Sequence, residues 1–236
     1  MLNLLSQPAV GANIVEHRYA SSAALDTECA SWGPAWLNAT EWAELVAWRN
    51  PRRRQEWRRG RMLAKQLVAD GLSWRCDWQE IEILRQGKSR RPRISIYGEV
   101  QPWSLSISHS ARGVLVALSR QPATVVGVDL TDCEPLSPGF VRLWFTAAEV
   151  AWLHEQTTPF AANIIWATKE ALFKACNRGE GFDPRRTEVL PRRHTYRGLP
   201  VDCEVQSRFV DDQVAVVVAA PHTPSIHSEL TKRQQP

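Results

Sequence analysis

The chain is short of several things. It holds 3 Tyr, 2 Met and 5 Lys in 236 residues, and its five cysteines, Cys29, Cys76, Cys133, Cys176 and Cys203, are odd in number and far apart. No two of them have zinc-ligand or redox spacing, which argues against a disulfide scaffold and for a reducing compartment. Long apolar runs are missing too. The longest, residues 214–220, has seven residues, against the roughly 20 needed to span a bilayer. The opening stretch MLNLLSQPAVGANIVEH has no basic n-region and no long apolar h-region. The expectation is a soluble, cytoplasmic protein with no signal peptide and no membrane partner.

What is present is ordinary in bulk and uneven in place. A hydrophobic share of 44% and a charged share of 23% are those of a globular domain. The length, at about 150 residues per domain, leaves one large unit or two half-sized ones. The net charge is only +4, yet 24 of the 29 basic residues are Arg. Residues 49–65 carry Arg49, Arg52, Arg53, Arg54, Arg58, Arg59, Arg61 and Lys65 with one acid, Glu56. Residues 85–93 carry Arg85, Lys88, Arg90, Arg91 and Arg93 with none. Such clusters attract polyanions: a nucleotide cofactor, nucleic acid or an acidic protein. A solvated helix face explains them equally well.

Residues 1–40 read as loops with short strands. Helices are expected over 40–50, capped by Thr40, and from Pro51, well suited to a first helical position, to near Gly71. WQEIEILRQGKSRRPRISI reads as a strand, a basic loop and a second strand. In SLSISHSARGVLVALS, Leu105 and Ile107 alternate with Ser before a turn and a buried-type strand. The strand VVGVDL follows, then a helix opened by TAAE at Thr146 and a long helix from 163 to Gly179. Strands RTEVL, VDCEVQSRF and VAVVVAA close the chain, with a loose tail after Pro221. Each half has a Trp-bearing basic helix followed by strands. This suggests an α+β fold built as a pseudo-dimer of two similar subdomains, 1–120 and 121–236.

Several residues bear chemistry. Asp129 ends a strand in GVDLTD, where it serves as a turn former or as a ligand for a hard cation such as Mg²⁺. Glu170 and Lys174 are four apart and share a helix face with Trp166, as a surface ion pair or as a partly covered acid. Glu149 completes a capping box with Thr146, which leaves any further role open. His109, between hydroxyls in SISHS, satisfies a turn or donates to a phosphate.

The order of these signals is more specific than any one of them. GR in a basic helix, a basic loop before Pro, SISHS, GVDLT, TxxE and WATKEALFKA together resemble a 4′-phosphopantetheinyl transferase of the surfactin-synthetase-activating type, from about residue 52 to 181. The resemblance implies a holo-acyl-carrier-protein synthase. Such an enzyme moves the phosphopantetheine arm of coenzyme A to a serine of an acidic apo carrier protein and releases 3′,5′-ADP, with Mg²⁺ and usually as a monomer. It implies that Arg61, Arg85 and Arg91 contact the nucleotide and phosphates, and that His109 donates to a phosphate. Asp129 and Glu170 would hold Mg²⁺, with Thr131 or Glu149 as further candidates. Lys174 would bind the diphosphate, and Glu170 would accept the serine proton. Two other readings compete. One is a nucleic-acid-binding module using Trp57 among the arginines, and the other a degenerate member that binds coenzyme A or the carrier without catalysis.

Many bacterial members of that family read GVDxE, whereas the position two after Asp129 here is Thr131. A hydroxyl is a weaker ligand for a hard cation than a carboxylate. Thr131→Glu should therefore lower the Mg²⁺ concentration that gives half-maximal transfer. A Mg²⁺ titration of activity with no change, or with a higher requirement, contradicts this.

Overall fold

The computed structural model describes residues 15–33, 35–72, 76–86 and 91–222. Lys88 and Arg90 of the basic loop and the tail from 223 lie outside the described residues. Helices and small antiparallel sheets are mixed, as in an α+β protein. No described helix is long and apolar enough to cross a membrane.

The first stretch of chain runs β1 (Val15–Ser21), α1 (Ser22–Trp32), α2 (Ala39–Ala47), α3 (Pro51–Asp70), then β2 (Ile81–Gln86), β3 (Arg91–Ile96), β4 (Glu99–Val100), β5 (Ser104–His109) and β6 (Gly113–Ser119). The second runs β7 (Thr124–Asp132), α4 (Pro138–Trp144), α5 (Ala147–His154), α6 (Ala161–Cys176), then β8 (Thr187–Leu190), β9 (Arg193–Tyr196), β10 (Leu199–Val201), β11 (Glu204–Val210) and β12 (Gln213–Pro221). The element order is the same in both. So is the pairing: β1-β6-β5 matches β7-β12-β11, and β2-β3-β4 matches β8-β9-β10.

Two expectations need correction. Residues 22–32, read as loop, form α1, capped by Ser21. The sequence SAALDTECASW has no clear apolar stripe, so periodicity does not reveal it, although Leu25 and Cys29 are buried against the core. The cap of α2 is Asn38 rather than Thr40, in a reciprocal box with Glu41.

Glu41 is also one end of a buried ion pair. Lys65 on α3 meets it at 2.5 Å, both side chains fully buried. The Lys65 ammonium also donates to the carbonyls of Trp36 and Trp78, and Glu41 accepts from the Ile83 amide. The second stretch repeats this arrangement. Lys169 on α6 meets Glu149, the box residue of α5, at 2.7 Å. Lys169 donates to the carbonyls of Trp144, Pro184 and Thr187, and Glu149 accepts from the Val189 amide. Charges this deep persist only when they are paired and hydrogen-bonded, and here both oxygens of each carboxylate and each ammonium have partners.

Strand β7 sits between two neighbours. Val126, Val128 and Leu130 pack with Leu115 and Ala117 of β6 and with Ala215 and Val217 of β12. Beside them, Ser104 and Ser106 of β5 accept from the amides of Val126 and Val128, each at 3.0 Å. The serine face of SLSIS is therefore turned to another strand rather than to water. On the other side of β7, α6 lies so close that a Cβ on Gly127 would come 1.9 Å from the Ala171 carbonyl oxygen and 2.7 Å from the Ala175 nitrogen. Those are helix backbone atoms and cannot swing aside. Gly127→Ala should cost about 3 kcal/mol, the upper range for an overpacked core. Urea unfolding measures it, and a loss below about 0.5 kcal/mol contradicts the contact.

Candidate active site

The contact at Gly127 places the next outward residue of β7, Asp129, against α6. Lys174 reaches its Oδ1 at 2.7 Å, and the Lys174 ammonium also donates to the Val128 carbonyl and the Ser108 hydroxyl. Ser108 donates to the same Oδ1 at 2.9 Å. Asp129 is 5% exposed. One turn before Lys174, Glu170 stands close enough to feel Asp129. Burial and the Asp129 charge push its carboxyl up to about 7, against the pull of Lys174 and a hydrogen bond from the Trp166 indole. A carboxyl at that value exchanges a proton near neutral pH.

His109 follows Ser108 and lies against α3. A Cβ on Gly60 would come 2.4 Å from its Nε2, so the glycine of the GR pair makes room for the ring. Burial, then Lys174, Arg85, Arg61 and Arg53, drive its pKa down to about 3. The imidazole is neutral at physiological pH, and a positive field converges on it.

The other expected residues are placed less uniformly. Arg85 is exposed and lies over the Trp48 ring at 5.6 Å. Arg91 donates to the Ala175 carbonyl at the last turn of α6 and lines a cavity of about 620 Å³ with Cys176, Tyr196 and Leu199. That volume is ordinary for a small-molecule site. Arg61 is only 3% exposed, paired with Glu44 at 3.5 Å and stacked on Trp57. It adds charge near His109 from within the core, and the expected direct phosphate contact does not fit a side chain so covered. Thr131 shares the Asp129 side of β7, since side chains alternate along a strand. Glu149 stays with Lys169, the Thr146 amide and the Val189 amide. With its oxygens engaged and no exposure, it is an architectural residue and does not join Asp129 and Glu170.

Sequence reasoning missed Ser108, which ties β5 to Asp129, and it missed Lys169 and Lys65 as structural cations. The alternating serines were the only available signal for the first.

Residues 125–217 match the model of the 4′-phosphopantetheinyl transferase superfamily. The match begins one residue into β7 and ends within β12, so it contains Asp129, Glu170 and Lys174 and leaves out His109 and the basic first half. Transferase chemistry of the phosphopantetheinyl kind is what that superfamily carries. No curated protein matches the chain.

Among the described residues no three His, Cys, Asp or Glu side chains are placed to share a metal. Two carboxylates close enough to disturb one another nonetheless suit Mg²⁺, which takes one or two protein carboxylates and completes its shell with phosphates and water. The site thus fits the cation that such transferases use.

The proton on Glu170 gives a stability test. A raised carboxyl contributes stability that is complete below its ordinary 4.5 and is lost as pH rises to about 7. The lowered His109 runs oppositely: its contribution is complete above 6.5 and is lost as pH falls toward about 3. Comparison with Glu170→Gln isolates the first. Without divalent cation, the variant's Tm should gain on the wild type's between about pH 5 and about pH 7.5. A gap independent of pH contradicts the raised carboxyl.

Proposed function

We propose that the protein transfers the 4′-phosphopantetheine arm of coenzyme A to a serine of an apo carrier protein, releasing 3′,5′-ADP, with Mg²⁺ required. The observation that carries this is the meeting of Asp129, Glu170 and Lys174 where α6 crosses β7, inside the segment that matches the transferase superfamily. We assign the chain to the surfactin-synthetase-activating type, acting as a cytoplasmic monomer.

Asp129 and Glu170 would hold Mg²⁺, which when bound neutralises charge on the diphosphate. Lys174 meets the same diphosphate and stabilises the oxygen that leaves with 3′,5′-ADP. His109 donates one ring N–H to a phosphate, and Arg85 and Arg91 hold the nucleotide. The serine oxygen attacks the phosphorus next to the pantetheine as the bond from that phosphorus to the oxygen of 3′,5′-ADP breaks. The serine proton passes to Glu170, directly or through one water.

We also read the chain as a duplicated unit, 1–120 and 121–236, forming a pseudo-dimer. The repeated element order and the two buried Lys–Glu pairs support this. Aligning Lys65 with Lys169 puts Asp70 where Lys174 stands and Gln66 where Glu170 stands. Aligning β1 with β7 by their pairing partners, Ser21 with Asp132, puts Arg18 where Asp129 stands. Arg18 and Asp70 form an ion pair at 2.5 Å. The pair is kept with its charges exchanged and the second carboxylate is gone, so only the α6 side is equipped for a cation.

The test is mass spectrometry of an apo carrier protein incubated with the protein, coenzyme A and Mg²⁺. A gain of one phosphopantetheine is expected, and Asp129→Ala and Glu170→Ala should each slow it by about 10²- to 10⁴-fold. No gain on fatty-acid, polyketide and peptide carriers contradicts the proposal. Coenzyme A binding without a gain favours the non-catalytic reading.

A further inference from the structure

The first half carries a groove that the transfer chemistry does not use. It lies among α1, α2 and the start of α3 and encloses about 480 Å³. Leu37 and Leu45 form its buried floor. Trp42 and Val46, one turn apart on α2 and therefore on one face, are 46% and 52% exposed. Arg54 and Arg58 complete the lining.

Among the described residues the two arginines at this groove have no carboxylate within ion-pair distance. Other arginines of α3 have acidic partners: Arg52 and Arg53 share Glu56, Arg59 pairs with Asp26, and Arg61 with Glu44. Arg54 donates to the Trp48 carbonyl and Arg58 to the Cys29 carbonyl. Neither makes an ion pair among the described residues. Arg54 stands in the first turn of α3, where the backbone dipole adds positive potential rather than relieving it. An apolar strip flanked by unpaired cations is complementary to a helix with apolar residues on one face and carboxylates beside them.

The groove also lies beside the site. Arg54 holds the carbonyl of Trp48, and the Trp48 ring lies under Arg85. Arg85 is among the cations that bear on His109.

We propose that this groove docks an acidic amphipathic helix of the apo carrier protein, with apolar side chains on Trp42 and Val46 and carboxylates on Arg54 and Arg58. The identity of the partner rests on the transfer reading above, while the chemistry of the partner rests on the groove.

The test measures binding apart from transfer. The full chain is titrated by calorimetry with an acyl carrier protein and a peptidyl carrier domain whose target serine is replaced by alanine. Trp42→Ala and Arg58→Glu, checked for native melting, should each weaken binding about tenfold, as expected for an interface anchor. In turnover they should raise KM for the wild-type carrier by a similar factor and leave KM for coenzyme A within about twofold. Carrier binding and carrier KM unchanged in both variants overturn the groove assignment, even if the wild type transfers normally. Binding that depends on these residues without any transfer supports the groove and overturns the enzyme reading. A shift from dimer to monomer in Trp42→Ala by light scattering assigns the groove to a second copy and overturns the proposal.

Discussion

Gly127 has no side chain, and the candidate site depends on that. With the α6 backbone resting on β7 at this residue, the next outward position is Asp129, and the helix face above it presents Glu170 and Lys174. Any larger residue would lift the helix off the strand and separate the groups. The Lys169–Glu149 pair fixes the same helix from its other side, anchoring it to α5 and β8. Two constraints, one steric and one ionic, therefore set the position of α6.

The first half is attached through β5. Its serines donate to Asp129 and accept from the β7 amides, using polar side chains where two strands approach without a regular ladder. Each such bond is worth about 1 kcal/mol net, and together they fix the register of His109 against Asp129. The pair Asp129 and Glu170 is costly as it stands, because two acids share one partly buried place. Lys174 offsets part of that cost, and a bound divalent cation would offset the rest. Burial is the first cause both of the raised Glu170 carboxyl and of the depressed His109; Asp129 adds to the one, and Lys174, Arg85, Arg61 and Arg53 add to the other.

Much of this was legible in the sequence. Strong alternation and caps marked β5, β6, β7 and the start of α5, and GVDLT with WATKEALFKA pointed to the acids that meet. The rest was hidden for physical reasons. Helix α1 buries Leu25 and Cys29 without a clear stripe. Arg61 looks like a surface cation in a basic helix, yet Glu44 and Trp57 allow it to be buried. Glu149 carries a capping signature that does not reveal its second partner, 20 residues away. The serines of β5 alternate as on a solvated strand because a hydroxyl serves water and a neighbouring strand equally well.

On the proposed reading, α6 on β7 builds a carboxylate pair whose spare proton a divalent cation would displace. Calorimetric titration of Mg²⁺ into the protein with coenzyme A at pH 7, repeated in buffers of different ionisation enthalpy, counts that proton. With Glu170 held at about 7, about half a proton should leave per cation bound, and Glu170→Gln should abolish the release while weakening binding. Cation binding with no proton released, or binding unchanged in Glu170→Gln, would contradict the account.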